Sequence, residues 1–233
     1  MEQINTETER TLQRLINMRD EQKRSYSDFE AERQALRNHV AEYVEIILKK
    51  RGVPKRYLAA KLENFSAGVR KLSELQEGLY LHGPCGVGKT FLAVALMREA
   101  ILKTEPVKKS PYGDALRMPY EQMPWFINVP DLLLEIKESF QEGSEISERQ
   151  VIEKYSRYET LILDDLGAEK VTDWVLQTLY TIINRRNVEL RRTIFTSNYA
   201  IDELGRKLGD RLSSRIAEMC RDYEINGEDR RLG

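Results

Sequence analysis

The stretch that decides the fold is Leu79-Tyr80-Leu81-His82-Gly83-Pro84-Cys85-Gly86-Val87-Gly88-Lys89-Thr90-Phe91-Leu92-Ala93-Val94-Ala95-Leu96-Met97. Its centre, from Gly83 to Thr90, fits the pattern G-x-x-x-x-G-K-[ST]. The apolar lead-in predicts a short strand, and the apolar run that follows predicts a helix. Strand, glycine loop and helix in that order are what phosphate binding needs. The glycines let successive backbone N–H groups point into one concave space, and the helix N-terminus adds its partial positive charge there. Gly83, Pro84, Cys85, Gly86, Val87, Gly88, Lys89 and Thr90 are therefore the candidate nucleotide-binding set. Lys89 would reach the β- and γ-phosphates of a triphosphate, and the Thr90 hydroxyl would ligate Mg²⁺.

Outward from this loop, strands and helices alternate. Trp125-Phe126-Ile127-Asn128-Val129 predicts a second strand, stopped by Pro130, with Asp131 as N-cap of a helix through Leu132 to Ile136. A helix is expected over 148–155, a strand over 160–163, a helix over 172–186 and a strand over 193–196. A short last strand is expected near 222–225. This alternation predicts an α/β fold with a parallel sheet covered by helices on both faces. The stretch 103–124 holds Pro106, Pro111, Pro119 and Pro124 and predicts an irregular surface loop.

Two strand ends carry polar groups that suit a nucleotide site, because ligands of such sheets bind beyond the carboxyl ends of the strands. The run Thr160-Leu161-Ile162-Leu163 ends in Asp164-Asp165. Asp164 would hold Mg²⁺ and Asp165 would polarise an attacking water; the same pair could also cap a turn before Gly167. The run Thr193-Ile194-Phe195-Thr196 leads to Ser197-Asn198, where the amide could orient that water or touch the γ-phosphate. Asn is also a common turn residue. In Asp210-Arg211-Leu212-Ser213-Ser214-Arg215-Ile216, Leu212, Ile216 and Met219 form a core stripe, and Arg211 and Arg215 share the adjoining face. Two guanidinium groups there could reach a phosphate on a neighbouring subunit, or pair with Asp210 or Glu218 as a solvated face.

Residues 1–51 are charged, hold no Gly or Pro before Gly52, and predict helix. Leu36, Val40, Tyr43, Val44 and Ile47 follow a 3.6-residue period, and Leu12, Leu15 and Ile16 begin a weaker stripe. Such a segment either packs on its own chain, pairs with itself or docks a partner. Gly52-Val53-Pro54 marks the boundary to a second region, 52–233. In the chain of 233 residues, 37 Lys and Arg balance 38 Asp and Glu, so any nucleic-acid contact must be a local patch. Two cysteines, Cys85 and Cys220, and two histidines give neither a disulfide framework nor zinc spacing. No apolar run is long enough for a membrane span and no secretory signal is apparent, so a cytoplasmic location is expected.

The set GPCGVGKT, LILDD, FTSN and DRLSSRI, in this order, resembles the AAA+ ATPases, a P-loop NTPase class. Within them it resembles the DnaC/DnaI helicase loaders and their IstB-type transposition relatives. Gly52-Val53-Pro54-Lys55-Arg56-Tyr57, Leu62-Glu63-Asn64-Phe65 and the tail Asn226-Gly227-Glu228-Asp229-Arg230-Arg231 resemble the same proteins, so the likeness covers about 52–233. The resemblance implies an AAA+ domain with an N-terminal helical extension and no full lid domain. It implies ATP and Mg²⁺ as ligands, ATP hydrolysis, Asp164 and Asp165 as the Walker B pair, and Asn198 as sensor 1. Arg215 would be an arginine finger acting on a neighbouring copy, with Arg211 as a nearby alternative and Arg231 in the sensor 2 role. Tyr57 would approach the adenine. The implied partners are a replicative DNA helicase gripped through residues 1–51, single-stranded DNA, and further copies of the chain through Arg215. The helices between the second and third strands, where replication-initiator relatives contact single-stranded DNA, are acidic here. An IstB-like transposition helper is the alternative function. A small-molecule P-loop kinase, which has no use for a sensor Asn followed by a trans-acting Arg, and a non-hydrolysing scaffold, which the intact Walker residues disfavour, are the remaining alternatives.

Overall fold

The computed structural model describes residues 26–109, 115–140 and 146–227. In chain order its helices and strands begin with α1 (Tyr26–Lys50), α2 (Ala67–Arg70), β1 (Gly78–His82), α3 (Lys89–Leu102), β2 (Val107–Lys108) and β3 (Leu116–Arg117). They continue with β4 (Trp125–Asn128), α4 (Val129–Glu138), α5 (Glu148–Arg157), β5 (Thr160–Leu166) and α6 (Asp173–Val188). The last are β6 (Arg192–Ser197), α7 (Ile201–Leu208), α8 (Asp210–Met219) and β7 (Cys220–Glu224). The stripe begun by Leu12, Leu15 and Ile16 lies outside the described residues.

Contacts divide the chain into two compact units, 1–41 with 105–119, and 42–104 with 120–233. In the first, the antiparallel ribbon of β2 and β3 lies beside the first part of α1. Arg33 and Arg37 both pair with Glu105, and Glu32 accepts from the Leu116 N–H at 3.3 Å. Leu116 and Met118 are buried. The ribbon occupies part of the stretch expected to be irregular. The division falls between Ala41 and Glu42, inside α1, whereas the sequence break lies at Gly52-Val53-Pro54. Val40 in the first unit and Val44, Ile47 and Leu48 in the second are buried, while Tyr43, expected on the same stripe, is 39% exposed.

The larger unit is built on a five-stranded parallel sheet of order β4-β5-β6-β1-β7. Every residue of β1 is buried, as a strand covered on both faces requires. α3 packs on β1, β5 and β6. Leu132 and Ile136 of α4, Val151 of α5, Leu179 and Ile183 of α6, Leu204 of α7 and Ile216 of α8 form a continuous core with Tyr80, Leu161, Leu163 and Phe195. This order carries the ends of β1, β5 and β6 to neighbouring positions.

Three local differences from the sequence expectations have simple causes. α4 starts at Val129 with Asn128 as its N-cap, and Pro130 lies inside its first turn, where a missing N–H has no helical partner to lose. Asp131 is therefore a first-turn acid, not the cap. α7 was not expected; it is marked by Glu203, whose carboxylate accepts from the Ala200 N–H at 3.0 Å, and by the buried Leu204 and Leu208. β5 runs on to Leu166 through a register shift after Leu163, so the Asp pair lies within the strand end.

Arg186 on α6 is fully buried. Its guanidinium donates to the carbonyls of Tyr155 at 3.0 Å, Tyr158 at 2.7 Å and Arg192 at 2.6 Å, and to the Thr193 hydroxyl at 2.9 Å. One side chain thus closes the C-terminus of α5 and pins the start of β6. Arg186→Ala would leave several buried carbonyls unpaired, each worth about 1–3 kcal/mol. Urea unfolding should show a loss of about 3 kcal/mol or more, with Arg186→Lys recovering only part because an ammonium cannot span the same acceptors. A loss below about 1 kcal/mol would contradict this role.

Candidate functional site

At the carboxyl ends of β1, β5 and β6 lies a cavity of about 490 Å³. The glycine loop lines it with Cys85, Gly86, Gly88, Lys89 and Thr90; β5 contributes Asp164 and Asp165; β6 and its exit contribute Thr196 and Asn198. Arg56, Tyr57, Phe91 and Asn128 complete the lining. The loop takes this shape because Gly86 and Gly88 have φ of 81° and 103°, a region L side chains rarely adopt. α3 begins at Lys89, so its N-terminus opens into the cavity.

Lys89 is 8% exposed. Its ammonium donates to the carbonyls of Gly83 at 2.8 Å and Pro84 at 2.7 Å, and to Oδ1 of Asn198 at 2.8 Å. Gly83 and Pro84 thus meet the site through their carbonyls, and Val87 of the same loop is buried.

Asp164 is 5% exposed. Burial raises its carboxyl pKa above the ordinary value; hydrogen bonds from Thr196 and Thr90 oppose that shift, and the neighbouring Asp165 adds to it. The Thr196 hydroxyl donates to Asp164 Oδ1 at 2.7 Å and accepts from the Asp165 N–H at 2.8 Å. One hydroxyl of β6 therefore orients both acids of β5. The Thr90 hydroxyl and the Asp164 carboxyl are the pair that could hold Mg²⁺, a cation that keeps several waters and takes few protein oxygens.

The lead-in is held by Arg98 on α3, 5% exposed, which donates to the carbonyls of Ala60 at 2.8 Å and of Leu58. That places Arg56 and Tyr57 beside the loop. Arg211 and Arg215, on α8, are not among the residues lining the cavity. Arg215 pairs with Glu218 at 2.7 Å, and Glu218 also accepts from Asn187. That ion pair, first, and a bond with Tyr180 raise the Arg215 pKa. Arg231 lies outside the described residues. Sequence reasoning missed Arg56, Asn128, Thr196 and Arg98. Asn128 and Thr196 are polar residues near apolar strand ends, the same signal that flagged Asp164 and Asn198.

A glycine loop between strand and helix, two acids on the strand next but one and an amide at the exit of the strand between define a P-loop nucleotide-binding protein of the AAA+ kind. The chain belongs to the IstB-like ATP binding protein family, whose model matches residues 67–233. It is 32% identical over 171 residues to the replicative helicase loader DnaI of Bacillus subtilis, covering 66% of this chain and 48% of that protein. It is 25% identical over 134 residues to the replicative helicase loader DnaC of Escherichia coli, covering 58% of this chain and 47% of that one. The chain thus spans about half the length of the curated relatives it matches. Among solved structures, a DnaC helicase loader superposes with a TM-score of 0.61 at 26% identity, covering 74% of this chain and 100% of that one. Among the described residues no helix is long and apolar enough to cross a membrane.

The raised pKa of Asp164 has a measurable consequence. The folded protein holds this proton more tightly than the unfolded chain, so stability falls as pH rises from about 3.9, the ordinary aspartate value, through the raised value. Asp164→Asn removes the buried charge and keeps an acceptor for Thr196. Its melting temperature should exceed that of the wild type at pH 7, and the gap should close towards about pH 4. Equal melting temperatures at pH 7 would contradict the assignment.

Proposed function

We propose that the protein is an Mg²⁺-dependent ATPase that loads the replicative DNA helicase in bacterial-type DNA replication. The observation that carries the ATPase part is the bond of Lys89 to Asn198, which ties the phosphate loop to the strand end beside the two acids. The loader part rests on the likeness to DnaI and DnaC.

The residues present fit a triphosphate. Lys89 would exchange the Gly83 and Pro84 carbonyls for phosphate oxygens while the loop N–H groups and the N-terminus of α3 receive the rest of the charge. Thr90 and Asp164 would hold Mg²⁺, which when bound neutralises charge developing on the phosphate oxygens. Asp165 would polarise the attacking water, and Asn198 would orient it. Tyr57 would lie against the base. Arg215 would leave Glu218 to reach the γ-phosphate of a second copy, with Arg211 as a neighbouring candidate. An arginine supplied in trans is worth about 10³–10⁵ in rate, so hydrolysis would be slow in a lone chain. The N-terminal region, 1–51, would bind the helicase, single-stranded DNA would act with ATP to control release, and the protein would work in the cytoplasm.

A second reading, a helper ATPase for transposition, is favoured by the IstB-like family match and by 27% identity over 162 residues to a putative ATP-binding protein of insertion sequence IS5376. Capture of a purified replicative helicase against a purified IS21-type transposase separates the two. Helicase binding that survives removal of residues 1–41 would move the docking surface into the larger unit. The shorter cut spares Val44, Ile47 and Leu48.

The composite site is tested by mixing. Arg215→Ala should bind ATP like the wild type and hydrolyse it at least about 10²-fold more slowly. Lys89→Ala should lose ATP affinity by about 2 kcal/mol or more. A mixture of the two, with single-stranded DNA present, should hydrolyse more ATP than the sum of the separate variants. Co-assembly without any rescue would place the whole active site in one chain.

A further inference from the structure

Asp165 has φ of 61°, a left-handed conformation that is uncommon outside glycine, though aspartate is among the residues that tolerate it. The upstream half of its turn is tied to β6: the Asp165 N–H donates to the Thr196 hydroxyl, and the Ser197 hydroxyl donates to the Leu166 carbonyl at 2.7 Å. The downstream half has a different anchor. Glu169 is 8% exposed and folds back on its own turn, where Oε2 accepts from the buried Gly167 N–H at 3.0 Å. The Ala168 N–H closes the same turn on the Asp165 carbonyl at 3.2 Å.

We propose that Glu169 is a positioning residue for ATP hydrolysis: its buried carboxylate holds the turn that keeps Asp165 left-handed, and so sets where the water-polarising carboxyl points. The proposal rests on the ATPase reading above. Without the Glu169 carboxylate, the Gly167 N–H is buried with no acceptor, and the turn relieves this by letting Asp165 relax to an ordinary φ. Relaxation at Asp165 rotates its side chain away from the cavity without moving the glycine loop, which hangs from a different strand. Gly167 has φ of 93°, and a Cβ there would lie 3.0 Å from the Tyr199 ring. The turn therefore sits directly against the residue that follows Asn198, and its shape is felt on both sides of the expected water. Tyr199 is itself fixed from three directions. Its carbonyl accepts from Tyr80 at 2.7 Å, its N–H donates to the Ser197 hydroxyl at 3.2 Å, and its own hydroxyl accepts from Lys207 at 2.9 Å.

Glu169 also carries a mark of use beyond packing. Oε1 is buried without a hydrogen-bond partner, a condition native structures rarely keep for shape alone. Burial, first, holds the carboxyl pKa above its ordinary value and the nearby Asp165 adds to that shift; the N–H groups of Glu169 and Gly167 and the Lys207 ammonium oppose it.

The test compares Glu169→Ala and Glu169→Gln in the full chain, with ATP turnover, ATP affinity, thermal unfolding and amide exchange at Gly167 measured on each. Glu169→Ala should lower kcat by about 10- to 100-fold, the scale of a small misplacement of a catalytic group, with KM and ATP affinity within about 2-fold. Exchange at Gly167 should speed up. Glu169→Gln keeps an acceptor oxygen for Gly167 and should recover most of the rate. Unchanged kcat in Glu169→Ala overturns the proposal. So does a parallel loss of affinity, turnover and melting temperature, which marks a residue that only supports the fold. A Glu169→Gln variant as slow as Glu169→Ala overturns it too, because charge would then matter rather than the brace. If the wild type neither binds nor hydrolyses ATP, the ATPase reading falls, and unchanged exchange at Gly167 in Glu169→Ala separately removes the brace.

Discussion

The ammonium of Lys89 is buried, and a buried charge must be met by hydrogen bonds or it unfolds its surroundings. Here it donates to two carbonyls of its own loop and to the Asn198 side chain on the neighbouring strand exit. The loop can supply those carbonyls only in the tight conformation that its glycines permit. The Asn can supply its oxygen only because β6 pairs with β1 in a register that sets Ser197 opposite His82. The strand order, the glycines and the lysine are therefore one constraint seen from three sides. A Cβ at Gly83 would lie 2.2 Å from the Ile225 carbonyl, so even the exit of β7 presses on the same loop.

The acids depend on the same strand from its other side. Thr196 donates to Asp164 and accepts from Asp165, so β6 fixes the β5 end while its next residues reach Lys89. Support continues inward, where Arg186 pins the start of β6 to the end of α5, at the opposite end of the strand from the cavity. Arg98 does the equivalent for the lead-in and sets Arg56 and Tyr57 at the cavity edge. Buried arginines thus hold elements in place on both sides of the sheet, and neither lines the cavity.

Much of this was legible in the chain. Continuous apolar runs that end in glycine or carboxylate, as at Leu81 and Leu163, mark strands covered on both faces and place chemistry at their ends. The loop, the acids and Asn198 follow from that rule and meet in one cavity. What was less legible depends on partners distant in sequence. Thr196 reads as an ordinary β-branched strand residue until Asp164 lies across from it. Arg186 reads as a surface cation at the end of a helix until α5 and β6 close over it. The end of α1 shows a similar override: helical periodicity runs past Ala41 without a break, and only packing shows that the buried Val44, Ile47 and Leu48 belong to the larger unit. Arg215 is not among the residues that line the cavity.

The central claim is that the ends of β1, β5 and β6 act as one triphosphate site. Amide exchange of the full chain with and without ATP and Mg²⁺ tests it most directly. The account predicts that slowed exchange appears together at the glycine loop from Gly83 to Thr90, at Asp164 and Asp165, and at Asn198, with the same dependence on ATP concentration. Protection of the loop alone, with both strand ends unaffected at saturating ATP, would contradict it.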